Sequence, residues 1–197
     1  MTVAFGAIGT GANGGATVAP SYPTGITVGQ LLTCHVSSGA TNSETPTTPS
    51  GWILLATGAS TDGTFGVDTG PRRATVFARV ADGSESGTLT ISITNGNTAR
   101  ATIARWTSSI GSGWVLQALG GADSTSGTDY SANVGSINWA TGDCALVVVG
   151  QRVDTVTQSA QSLTASGTTF GTRTNQASTA VTTGNDIRHV VDTFDPV

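Results

Sequence analysis

Gly87-Thr-Leu-Thr-Ile-Ser-Ile-Thr94 alternates apolar and hydroxyl side chains without a break: Leu89, Ile91 and Ile93 fall on one parity, Thr88, Thr90, Ser92 and Thr94 on the other. A period of two places each set on its own face of an extended chain, so the stretch predicts a half-buried β-strand and not a helix. Asn95-Gly96-Asn97 follows at once. Asn and Gly tolerate positive φ, and the three residues predict a hairpin turn into an antiparallel partner over Arg100-Ala-Thr-Ile-Ala-Arg-Trp106.

Similar segments recur at Thr2 to Ile8, Ile26 to Val36, Trp52 to Thr57, Ala74 to Ala81, Trp114 to Leu119, Ile137 to Trp139, Ala145 to Val153 and Ile187 to Phe194. Turn-forming Gly, Ser, Asn, Asp and Pro separate them, and no amphipathic helical period intervenes, so the chain reads as all-β. About 8 to 10 strands without a blade-length repeat favour an antiparallel two-sheet β-sandwich, jelly-roll-like, over a propeller. A Greek-key sandwich of immunoglobulin type is the alternative, and neither its Cys-Trp-Cys order nor its tyrosine corner is evident. A length of 197 residues suits one domain over 1–197. Within it, Gly9 to Pro23 reads as an extended arm or a glycine-rich loop leading into a strand, and 195–197 as an irregular tail. The polar stretch from Gln158 to Gly184 reads as a long excursion or weak strands. Pro46, Pro49 and Ser50-Gly51 stiffen the approach to Trp52, whose indole is expected to anchor the strand it opens.

Only 10% of residues are charged while 27 are glycine, and the eight basic residues are all arginine. A net charge of -4 and a pI near 4.8 argue against a phosphate-backbone partner, which needs clustered cations. The N-terminal Met-Thr-Val-Ala-Phe-Gly lacks the basic and long apolar regions of a secretory signal, and the apolar run Cys144 to Val149 is too short to span a bilayer. The expectation is therefore a protein made in the cytoplasm, with neither nucleic acid nor membrane as partner. Cys34 and Cys144 lie in apolar segments, where they read as reduced core thiols or as one disulfide.

Motifs that could carry chemistry fail on context. Gly9-x-Gly11-x-x-Gly14 matches a dinucleotide fingerprint, but Pro20 and Pro23 follow where a helix must begin. Asp68-Thr-Gly70 resembles an aspartic-protease turn without a second copy to share its proton. His35 and His189 are the only imidazoles and sit in predicted strands, where structural roles outweigh catalysis, although Ser, His and Asp could converge in space. Asp62, Asp68, Asp123, Asp129 and Asp154 could hold calcium but form no recognised ligand loop. Tyr22, Trp114, Tyr130 and Trp139, near predicted turns, are candidates for a sugar-stacking platform. No catalytic residue, cofactor ligand or metal ligand is assigned.

One resemblance adds to this. Val28-Gly-Gln-Leu-Leu32, Pro49-Ser-Gly-Trp52, Ala74-Thr-Val-Phe-Ala-Arg-Val80, Gly87-Thr-Leu-Thr-Ile-Ser-Ile93 and Gly142-Asp-Cys-Ala-Leu-Val-Val-Val149 follow one another as in a β-sandwich module of tailed-bacteriophage virion proteins, over roughly residues 26 to 150. The resemblance implies a non-enzymatic virion component, with a head decoration or cement protein preferred. Its partners would be the major capsid protein and copies of itself, as a homotrimer on the capsid surface. A tail or fibre module binding host-surface carbohydrate and a tail adaptor or connector are the rival readings.

Overall fold

A computed structural model describes residues 2–40, 45–60, 70–111, 113–122, 138–151, 162–163, 169–181 and 187–195. Its elements are all strands: β1 (Val3–Ile8), β2 (Ala12–Gly14), β3 (Thr17–Val18), β4 (Leu31–Ala40), β5 (Ile53–Ser60), β6 (Arg72–Val80), β7 (Ile91–Ser92), β8 (Gly96–Ser108), β9 (Ala145–Gln151), β10 (Arg173–Val181) and β11 (Ile187–Phe194). They pair antiparallel throughout. A large sheet runs β1-β8-β4-β6-β5, with β2 also on β8, a small sheet runs β10-β11-β9, and β3 pairs β7 in a ribbon. The protein is all-β, as its sequence implies. No helix long and apolar enough to cross a membrane occurs among the described residues.

Strand β4 lies at the centre of the large sheet, and its two faces bury different chemistry. Leu32, Cys34 and Val36 join Phe77 of β6, Ile103 of β8, and Val18, Ile91 and Ile93 of the ribbon in one apolar core. Thr33, His35 and Ser37 point the opposite way, toward the small sheet. There the layers approach closely: a Cβ placed on Gly150 of β9 would sit 3.2 Å from both the Ser37 Cβ and the Arg73 carbonyl oxygen. Glycine on one sheet and serine on the other permit that spacing.

Residues 87–94 keep the faces their alternation predicts but not the expected partner. Ile91 and Ile93 are buried and Ser92 and Thr94 exposed, and Asn95 adopts φ 53° in the turn that follows. The chain then does not fold back on itself. Residues 87–93 pair with the stretch from Ala16 to Tyr22 (Ile93 N–H to Ala16 O 2.8 Å, Tyr22 N–H to Gly87 O 3.0 Å), while β8 inserts between β1 and β4. Gly9 to Pro23 is thereby stitched down and is no free arm: Gly9 N–H donates to Ile103 O at 2.8 Å, and Val18 is 2% exposed in the core.

Two further expectations are corrected. Residues 114–119 form no strand, because Gly111 and Gly113 take φ of 75° and 87° and turn the chain out of the sheet. Further along, this segment crosses β5 backbone to backbone, where a Cβ on Gly58 would run into the Gly121 carbonyl. Asn138 and Trp139 are likewise not in a strand, and Ile137 lies outside the described residues. Of the polar stretch 158–184, residues 173–181 are the edge strand β10.

Trp52 is 6% exposed, stacks on Tyr22 at 6.5 Å between ring centroids, and follows a turn closed by its own N–H on the Pro49 carbonyl. Trp52→Ala should cost about 3–5 kcal/mol and lower the melting temperature by about 10 °C or more. A melting curve that does not move would refute its anchoring role.

Candidate functional site

Three strands distant in sequence bring a polar row into the space between the sheets. Strand β4 supplies Thr33, His35 and Ser37 on alternate positions, β8 supplies Thr102 and Trp106, and β11 supplies His189, all of them buried. Trp106 Nε1–H donates to Thr33 Oγ1 at 2.8 Å, and that hydroxyl lies 2.8 Å from His35 Nε2. His35 Nδ1 is 3.2 Å from Thr102 Oγ1, which is 3.1 Å from His189 Nε2. His189 Nδ1 is 2.7 Å from Ser37 Oγ, and Ser37 donates to the Val149 carbonyl of β9 at 3.2 Å.

The ends of this row determine its direction. A carbonyl only accepts, so the Ser37 proton points at Val149 and Ser37 must accept from His189 Nδ1–H. A neutral imidazole protonated at Nδ1 accepts at Nε2, so Thr102 donates to His189 and accepts from His35 Nδ1–H. Thr33 then donates to His35 Nε2 and accepts from Trp106, whose indole can only donate. Every proton in the row is used once, and both histidines are neutral Nδ1–H tautomers. Burial pushes the imidazoles down to about 3, with His35 and Arg100 acting further against charge on His189.

This geometry supports a structural role for Ser37 and His189, despite their nucleophile-base distance. A general base presents a bare nitrogen to its hydroxyl, whereas His189 presents a proton. The nearby carboxylate of Asp192 is fully buried on the other parity of β11, held by Arg173 Nε at 2.9 Å and Asn175 Nδ2 at 2.7 Å. It therefore completes no triad.

A cleft of about 460 Å³ opens between β1 and the ends of β10 and β11, lined by Phe5, Trp106, Cys144, Gln176, Phe194 and Asp195 among others. Much of its polar lining is engaged internally. Gln176 donates to Thr193 at 2.8 Å, and the Cys144 thiol to the Val3 carbonyl at 2.9 Å. Burial, then Asp195 and Asp143, push that thiol up to about 11, away from nucleophilic use. Cys34 lies in the core on the other face of the large sheet, and both cysteines are free.

The outer surface carries its own signal. Among the described residues, the large hydrophobic side chains that remain exposed are Val28, Ile53, Leu54, Val80, Ile110, Val115, Leu116 and Leu119, from 36% for Leu116 to 81% for Val115. Most come from the loop before β4, the start of β5, the end of β6 and the segment after β8, which the pairing Leu31↔Val80, Leu31↔Trp106 and Ile53↔Ala78 brings to one end of the large sheet, while Leu119 lies farther along β5. Ile53, Val80 and Leu116 share a groove of about 240 Å³ with Leu31 and Ala78. Its one charged residue, Arg79, is bound to Asp82 at 2.8 Å and Glu85 at 3.0 Å.

The aromatic candidates do not share a platform. Tyr22 stacks on Trp52 beside the ribbon, Trp114 packs near Leu31 with its indole nitrogen on the Gly29 carbonyl, and Trp139 meets Phe170 edge-on. Tyr130, the five loop aspartates and Asp68-Thr69 lie outside the described residues, while Gly70 takes φ 81°. Gly9 to Gly14 joins β1 to β2 with no helix after it. Thr33, Ser37 and Thr102 were not singled out from the sequence. Their available signal was Thr33-x-His35-x-Ser37, hydroxyls flanking an imidazole on one parity of a strand whose other parity is apolar from Leu32 to Val36. No protein-family model, curated protein or solved structure matches the chain.

Cutting the row at Thr102 leaves His35 Nδ1–H without an acceptor and His189 Nε2 without a donor. Thr102→Val, nearly isosteric, should lower stability by about 2–4 kcal/mol in urea unfolding at neutral pH; an unchanged midpoint refutes the row. The histidines also set a pH dependence. Neutral in the fold to about 3 but protonating near 6.5 when unfolded, each takes up a proton on unfolding between those values. Stability should be full above about pH 6.5 and fall with acidification by about 1.4 kcal/mol per histidine per pH unit. A urea midpoint that is flat from pH 7 to pH 5 contradicts this.

Proposed function

We propose that this chain is a non-enzymatic structural protein of a bacteriophage virion, a jelly-roll-like head decoration or cement subunit that binds the assembled shell. The observation that carries this reading is the gathering of exposed aliphatic residues at one end of the large sheet. Monomeric proteins seldom leave so much apolar surface wet, and an assembly subunit covers it on a neighbour. Two other features support it. The only imidazoles of the chain are sealed inside and committed to holding the sheets together. The low charge seen in the sequence suits contacts built from backbone, hydroxyl and aliphatic groups.

In this reading the partners are the major capsid protein and further copies of the chain, as a homotrimer on the capsid surface. Fold and surface alone are common to many proteins, and the specific assignment to a phage head rests on the order of motifs from Val28 to Val149. Purified protein mixed with capsids lacking their decoration should attach saturably, at a fixed ratio to the shell subunit, and raise the temperature at which the capsids rupture. Absence of attachment, or attachment only to host-surface polysaccharide, overturns the assignment, the latter in favour of a fibre module.

A further inference from the structure

Resting on the assembly reading above, we propose that the apolar end of the large sheet is the face on which a second copy of this chain docks. Three observations name that occupant.

The first is size. From their fractional exposures, Val28, Ile53, Val80, Ile110, Val115 and Leu116 leave on the order of 600 Å² uncovered at this end, approaching the roughly 800 Å² that one partner contributes to a standard specific interface. The largest patch on a typical monomer is about 300–600 Å².

The second is charge. Different partners usually meet through complementary potentials, which requires unpaired charge at the surface. The groove lining offers no free cation to match: its one charged residue, Arg79, is held within its own chain by Asp82 and by the buried Glu85 side chain, which leaves one carboxylate in excess at the rim. Contacts between identical subunits are the more apolar class, and an aliphatic groove with aliphatic side chains projecting nearby suits packing against a further copy.

The third is relief. The groove holds about 240 Å³, and an apolar cavity of about 150 Å³ already takes a benzene-sized group, so about two aliphatic side chains can enter it. Val28 and Val115, exposed at 73% and 81%, are the most prominent aliphatic side chains of the same surface, and they supply knobs of that size. Beside the groove, β5 is an outermost strand of the large sheet among the described residues. Its sequence Ile53-Leu-Leu-Ala-Thr-Gly-Ala-Ser60 has neither a charge nor a proline of the kind that guards an exposed edge.

The test is sedimentation velocity on the full chain alone, from about 1 to about 100 μM, with Val115→Asp and Ile53→Asp as variants. Both side chains are exposed, so the variants should keep the native circular dichroism spectrum and melting temperature; Val28→Asp replaces either one that does not. The expected result is an oligomer for the native chain and a dissociation constant raised at least tenfold in each folded variant. A native chain that stays monomeric throughout overturns the proposal, as does an oligomer indifferent to the aspartates. A monomeric chain that still saturates undecorated capsids defeats only this face as a contact between copies and leaves the virion assignment standing.

Discussion

The one-way row of hydrogen bonds from the Trp106 indole to the Val149 carbonyl is the constraint on which the arrangement of the two sheets depends. A layer interface lined by Thr33, His35, Ser37, Thr102 and His189 is stable only if each buried donor meets an acceptor. Each bond adds only about 1 kcal/mol net, but a partner left unmatched costs about 1–3 kcal/mol. The row is therefore a device for register. A one-residue slip of β4, β8 or β11 would turn its hydroxyls or imidazole to the wrong face and strand several groups at once. The apolar core on the far side of β4 has no such stringency, since aliphatic contacts are not directional.

Division of labour between the faces of β4 shapes the rest of the molecule. The side toward the ribbon provides bulk burial through Phe77, Leu32, Ile91 and Ile103. The side toward the small sheet provides specificity through small polar groups and through Gly150, which lets the layers close. Neither leaves an accessible titratable group on β4. At the end of the large sheet, by contrast, Val28, Ile53, Val80 and Val115 remain uncovered.

Much of this architecture is legible in the sequence, and the parts that are not share a physical reason. Alternation in residues 88–94 reports which side chain faces the core, and Ile91 and Ile93 are buried accordingly. It carries no information about which strand lies alongside, so the turn at Asn95 suggested a hairpin where the partner is the stretch around Thr17 and Val18. Strand β10 escaped a clear assignment because its Thr, Asn, Gln and Ser lack apolar contrast; it is held instead by its ladder to β11 and by Arg173 and Asn175 on the buried Asp192. The polar row was half visible, in the imidazoles alone. Its completion required three strands to come together, and no local pattern encodes that. The apolar end was invisible for the same reason, its residues being scattered from Val28 to Leu119.

Ser37 and His189 are 152 residues apart in the chain, which has a consequence for synthesis. At roughly 5–20 residues per second, a ribosome takes on the order of 10–30 s to deliver the imidazole after the serine. For that interval the polar side of the nascent large sheet is hydrated and unlocked. The row can close only once β11 has been made, so the register of the two layers is fixed well after β4 itself has left the ribosome.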